Sequence, residues 1–290
     1  MSEQKELDQD DLAALGRAKK LLENPGFIAR LANAVGTPVE KLLHALPEKA
    51  ATSIEKATKA ALEKALKVAL ATLGGDSGHE PSNIWHKIAV AATGAVGGAF
   101  GLPALPIELP VSTTIMLRSV ADIARTKGED LRTPEAALAC IEVFALGGRS
   151  KDDDAAESAY YTVRIALGRA VSEAAAYIAG EAAAEAPAAL VSLIAAIGER
   201  FGVVVTEKAA AEFIPVIGGI GGAAINLAFM DHFQDMADGH FTVRRLERKY
   251  GAEKVRAAYE KLSAKRLPAA PNRPPPIRNA ATTRRCMTML

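Results

Sequence analysis

Between Ile88 and Ile107 the chain runs for twenty residues without a charge, IAVAATGAVGGAFGLPALPI, and its glycines are spaced for a helix. Gly94 with Gly98 and Gly97 with Gly101 make two overlapping G-x-x-x-G pairs. A second stretch, FIPVIGGIGGAAINLAFM from Phe213 to Met230, repeats the spacing at Gly218 and Gly222. A helical glycine costs about 1 kcal/mol relative to alanine. That cost is offset where a face without side chains lets a second helix approach closely. The pattern predicts an all-α multi-helix bundle around a central pair of glycine-rich apolar helices, with a proline elbow after the first.

A chain of 290 residues can bury one sizeable core. Aromatics are only 5%, alanine is abundant and β-branched runs are short, which favours helix. With 35 basic and 34 acidic residues, overall charge favours neither nucleic acid nor membrane. The distribution is uneven. From Gly239 to Leu290 there are thirteen Lys and Arg against three Glu, about +10, leaving roughly −9 elsewhere. Two cysteines, Cys140 and Cys286, make neither a disulfide framework nor a metal site and suit a reducing compartment. The acidic start MSEQKELDQDDL lacks a secretory pattern, so a cytoplasmic location is expected.

Asp10-Asp11 starts a first helix, and a long amphipathic helix is predicted from Pro47 to Leu73. The loop Gly74–Asn83 separates an N-terminal helical section, 1–75, from a main body, 80–265. Prolines at 103, 106 and 110 push their preceding residues out of the α region, so 101–110 reads as an irregular elbow with a helix restarting at Pro110. Thr133-Pro134-Glu135 is a strong helix start, ended by Gly147-Gly148. Ser150 with Asp152–Asp154 favours another helix, continuing to about Ala186 with a bend near Gly168 or Gly180. Pro187 opens one more apolar helix, and the last runs from about Ala252 to Ala264. Residues 267–290 read as a disordered Pro/Arg tail.

No catalytic motif emerges. Gly75-Asp76-Ser77-Gly78 matches a serine-protease tetrapeptide, but that chemistry needs a β scaffold to assemble its triad. Gly219-Ile220-Gly221-Gly222-Ala223-Ala224 fits the dinucleotide fingerprint without the strand-rich context it requires. Asp231, His232, Asp235 and His240 are weak metal candidates. The aspartates share a face with Asp238, His232 lies off that face, and no known ligand spacing arises. No cofactor is implied. Glu108, in the apolar elbow, is the most informative single residue. It reads as a buried tie, or alternatively as a ligand-facing acid. Arg118 and Asp122 stand i,i+4 on the next helix, and Asn226 reads as interhelical hydrogen-bond glue. Arg244, Arg245, Arg248 and Lys249, beside the second apolar stretch, form a candidate basic face for anionic headgroups.

Several of these blocks, namely the GLPALPIELP elbow, SVADIARTKGED, EVFAL at 142–146, Tyr160 with Arg164, and Pro215, Gly218, Asn226, His240 and Phe241, together resemble the EcsC family. The resemblance spans roughly Pro81 to Ala264, leaving the acidic N-terminal section outside. It implies a bacterial protein of helical, glycine-hairpin architecture, cytoplasmic or membrane-associated, with an accessory role beside a membrane transport complex. It carries over no catalytic residues. The expectation is a non-enzymatic accessory protein attached peripherally to the cytoplasmic membrane, through an anionic membrane surface or a membrane protein complex. Its rivals are a lipid- or small-molecule-acting enzyme using Glu108, Arg118 and Asp122, and a membrane-inserting, toxin-like protein.

Overall fold

Helix signals in this sequence are local and strong, and the chain follows them. The computed structural model describes residues 6–23, 27–36, 38–44, 46–71, 102–148, 158–180, 186–213 and 218–262, and every regular element among them is helical. In order they are α1 (Gln9–Glu23), α2 (Phe27–Val35), α3 (Val39–His44), α4 (Ala50–Ala71), a 3₁₀ turn (Leu102–Ala104), α5 (Leu105–Thr126), α6 (Pro134–Leu146), α7 (Ala159–Ile178), α8 (Ala186–Glu212), α9 (Gly218–Tyr250) and α10 (Ala252–Lys261).

Two starts show why the boundaries fall where they do. Thr133 is extended, its hydroxyl accepts from the Ala136 amide at 3.3 Å, and Pro134 fills the first position of α6. Ser158 caps α7 in the same way, accepting from the Tyr161 amide at 3.3 Å. Gly180, at φ +78°, lies just beyond the end of α7, and Gly168 does not interrupt it. The expected start at 150–154 lies outside the described residues.

The elbow is shorter than the prolines suggested. Only 102–104 is a 3₁₀ turn, and α5 already begins at Leu105. Pro106 sits in the first turn, where a missing N–H is harmless, and the helix continues through Pro110. Glu108 therefore lies within the first turn of α5, not ahead of a helix that starts at Pro110.

The described parts of 1–75 pack directly on the main body. α1 lies along α9, and α4 packs on α5 and α8. Among the described residues one apolar core runs through both, from Leu15 and Leu62 to Phe201 and Phe229. At its centre Phe144, Phe201, Phe229 and Phe233 form an aromatic cluster with centroids 5.1–6.1 Å apart. Each such pair adds about 0.5–1.5 kcal/mol beyond area burial. Gly239 permits the close seat of α1, since a Cβ there would lie 2.7 Å from Leu22 Cγ. The second glycine stretch opens α9, with Gly221 and Gly222 buried. The first, through Gly101, and the 267–290 tail lie outside the described residues.

Candidate functional site

Three helices converge on one buried ionic group. Glu108 from α5 is 6% exposed, and Lys208 from α8 is fully buried. Lys208 Nζ donates to both Glu108 oxygens at 3.0 Å and to Glu212 Oε1 at 2.6 Å. Asn226 from α9 donates its amide to Glu108 Oε1 at 2.8 Å, the interhelical bond its position suggested. The lysine's three donor sites are thus matched by three carboxylate oxygens.

Burial opposes the charge on Lys208, but Glu212 and Glu108 outweigh it and its pKa is raised. Burial lifts Glu212 to about 7, against the pull of Lys208 and with a push from Glu108. With both carboxylates ionised the group carries a net −1, and one proton on Glu212 neutralises it. None of the four residues lines the cleft described below. The arrangement is a clasp between helices.

A second buried cluster was not assembled from the sequence. Tyr160 Oη and His240 Nδ1 are 3.0 Å apart, and Arg164 makes a two-pronged pair with Glu247 at 2.7 and 3.1 Å. The Arg164 guanidinium also lies 5.4 Å from the Tyr160 ring centre. His240 Nε2 is 4.0 Å from Glu142. Burial, with Arg164 and Arg244 nearby, holds the His240 pKa well below its usual value, while burial raises that of Glu142. The imidazole is neutral, so this contact is not an ion pair. The i,i+4 spacing of Tyr160 and Arg164, against His240 and Glu247 at i,i+7, was the available signal.

The basic end of α9 is not a free cationic face. Arg244 and Arg248 both meet Glu129, Arg244 at 2.9 and 3.1 Å, and Arg248 also donates to the Lys127 carbonyl at 2.7 Å. Arg245 meets Asp11 at 2.9 Å, and Lys249 meets Asp11 at 2.7 Å and Asp8 at 3.2 Å. Hydrogen bonding from Lys249 is the largest cause that draws the Asp11 pKa down to about 2. These four residues, expected to face headgroups, clasp carboxylates far away in sequence.

The metal candidates are divided among separate partners. Asp235 pairs with Arg30, His232 Nε2 lies 3.2 Å from the Gly147 carbonyl, and His240 faces Tyr160. Among the described residues no three His, Cys, Asp or Glu side chains gather as a metal site. Arg118 is exposed on α5, while Asp122 accepts from Arg125 at 2.8 Å.

The surface offers something different. Ala188–Glu212 of α8 is long and apolar enough to cross a membrane by length and composition, the one such stretch among the described helices, yet only 33% of its most apolar part is buried. Val191 is 61% exposed and Val203 38%. Between this face and α4 lies an open cleft of about 930 Å³, walled by Ile54, Leu66 and Leu70 on one side and Val191, Ile194 and Val203 on the other. Gly198 and Gly202 also line it, and a Cβ on Gly202 would meet nothing within 4 Å. In the apolar stretch 213–230, by contrast, Ile225, Phe229 and Met230 are fully buried.

The fold is that of an all-helical bundle whose polar chemistry is internal and whose open cleft is apolar. The chain belongs to the EcsC protein family, which matches residues 10–246. That match takes in α1 to α4, so the N-terminal section is part of the family region and not an addition to it. No curated protein and no solved structure matches the chain.

Proposed function

We propose that the protein is a non-enzymatic accessory protein that associates peripherally with the cytoplasmic membrane through the outward apolar face of α8. The observation that carries this reading is the exposure of Val191 and Val203 on the one described helix long and apolar enough to cross a membrane. Exposed apolar surface of this kind marks sites of protein or membrane interaction. A catalytic reading has less support, because Glu108 and His240 are enclosed and committed to partners in the body.

The basic end of α9 contributes little to this attachment, since its charges are compensated internally. Attachment is therefore driven by burial of apolar side chains, at about 25 cal/mol per Å². Flotation with neutral and with anionic liposomes tests it. The protein floats with both, and raising the salt does not release it. Val191→Glu with Val203→Glu abolishes flotation without unfolding the protein. Failure to float with either liposome at low salt removes the lipid reading.

A further inference from the structure

We infer that the buried clasp is a proton-operated latch: Glu212 holds a proton while the ends of α5 and α8 are joined, and giving it up lets the end of α8 part from α5. This goes beyond the membrane reading and does not depend on it. Two carboxylates and one ammonium are enclosed together, with Lys208 0%, Glu108 6% and Glu212 7% exposed. Fully ionised, the set carries one negative charge in excess of its cation, and an uncompensated buried charge is strongly disfavoured. A single proton removes it.

The bonds decide which carboxylate takes that proton. Glu108 accepts three hydrogen bonds, two from Lys208 at 3.0 Å and one from Asn226 at 2.8 Å, and each favours its ionised form. Among the described residues Glu212 accepts one, from Lys208 at 2.6 Å. Helix position acts in the same sense. Glu108 lies in the first turn of α5, where the helix dipole favours an anion, whereas Glu212 is the last residue of α8, where the dipole opposes one. The charged groups that face Glu212 are Lys208 from its own helix and Glu108 from α5, while α9 contributes the neutral amide of Asn226. Burial, with Lys208 pulling down and Glu108 pushing up, brings the Glu212 pKa to about 7. Glu212 also has a short way out, since the next residue, Phe213, is 36% exposed. Once released, its carboxyl returns to the ordinary value of 4.5. Opening therefore sheds a proton between those two values. It becomes about tenfold easier per pH unit across that window and levels off above it.

Hydrogen–deuterium exchange of the full-length protein, read by mass spectrometry from about pH 5 to about pH 8, tests the latch. Rates are corrected for the intrinsic pH dependence of amide exchange. Peptides from the last turns of α8 and the first turn of α5 gain about tenfold in exchange per pH unit up to about pH 7, then level off. Peptides of α6, inside the core, stay protected, which separates latch opening from global unfolding. Glu212→Gln keeps the size of the side chain and an oxygen for Lys208 but cannot ionise. It holds the end of α8 at its low-pH exchange level throughout. The proton itself is read by infrared spectroscopy. Burial also raises Glu207 to about 7, so both samples carry Glu207→Gln. Subtracting the Glu207→Gln, Glu212→Gln spectrum from that of Glu207→Gln at about pH 6 leaves a protonated-carboxyl band. An α8 end whose exchange ignores pH in the unaltered protein overturns the inference. So does a Glu212→Gln protein that keeps the pH dependence, or a difference spectrum without the band. None of these measurements uses lipid, so their outcome is separate from that of flotation.

Discussion

The two halves of α8 break the usual inside–outside rule in opposite senses. Its C-terminal half places Lys208 and Glu212 in the interior. Its N-terminal half turns Val191 and Ala195 outward toward the cleft, and Val203 continues that face past the midpoint. Charge is tolerated inside because each group has a partner: Lys208 is held by two carboxylates, and Glu108 also by Asn226. Apolar surface outside has no such internal compensation, so it is the half open to a ligand or bilayer. A group already matched within the body points to stability, and a face left unmatched points to function.

The largest expected effect breaks the inner half. Lys208→Ala strands Glu108 and Glu212 without their cation and costs about 3–5 kcal/mol in urea unfolding. The triple change Lys208→Met, Glu108→Gln, Glu212→Gln recovers most of that loss, because a neutral set of similar size avoids desolvated charge. A single-variant loss under about 1 kcal/mol would refute the clasp.

Next comes the seat of α8 on the end of α6. A Cβ on Gly148 would overlap the backbone of Arg200, so Gly148→Ala should cost about 1–3 kcal/mol in thermal or urea unfolding.

The pH profile sharpens the contrast further. Burial lifts Glu207, like Glu212, to about 7. Folded-state values above the ordinary carboxylate value favour the protonated fold, so their contribution is complete below about pH 4.5 and is lost as pH rises through 7. Asp11 and Glu129, drawn down by their cations, act in the other direction and lose their contribution as pH falls below about 4. Unfolding temperature should therefore peak near pH 5 and decline toward pH 8, and Glu212→Gln should flatten the upper limb. The smallest stability effect belongs to the outer half. Val191→Ser and Val203→Ser should each change stability by no more than about 0.5 kcal/mol in urea unfolding.

Features carried by neighbouring residues were legible in the sequence. The Thr133-Pro134 start, the helix before Leu73 and the end of α6 at Gly147 follow from short-range backbone chemistry. Glu108 could be recognised as a buried tie, because a lone carboxylate in an apolar run needs compensation. Lys208 could not be named as its partner, since 100 residues separate them and a lysine in a helix ordinarily reads as solvated. The basic end misled for the same reason: Asp8, Asp11 and Glu129 meet it only in three dimensions. The outward face of α8 was hidden by the opposite habit, since apolar periodicity gives no sign of whether a neighbour will cover it.

The clasp of α1 on α9 and α10 also bears on how the chain is made. Lys19 donates to the Tyr259 carbonyl at 2.8 Å, and Asp11 waits for Lys249 and Tyr250. Once translated, α1 cannot find these mates until about 240 further residues have followed it. Closing so long a loop carries an entropic cost that delays docking. During synthesis α1 is thus a nascent segment with an uncovered apolar side, the kind of surface that chaperones engage.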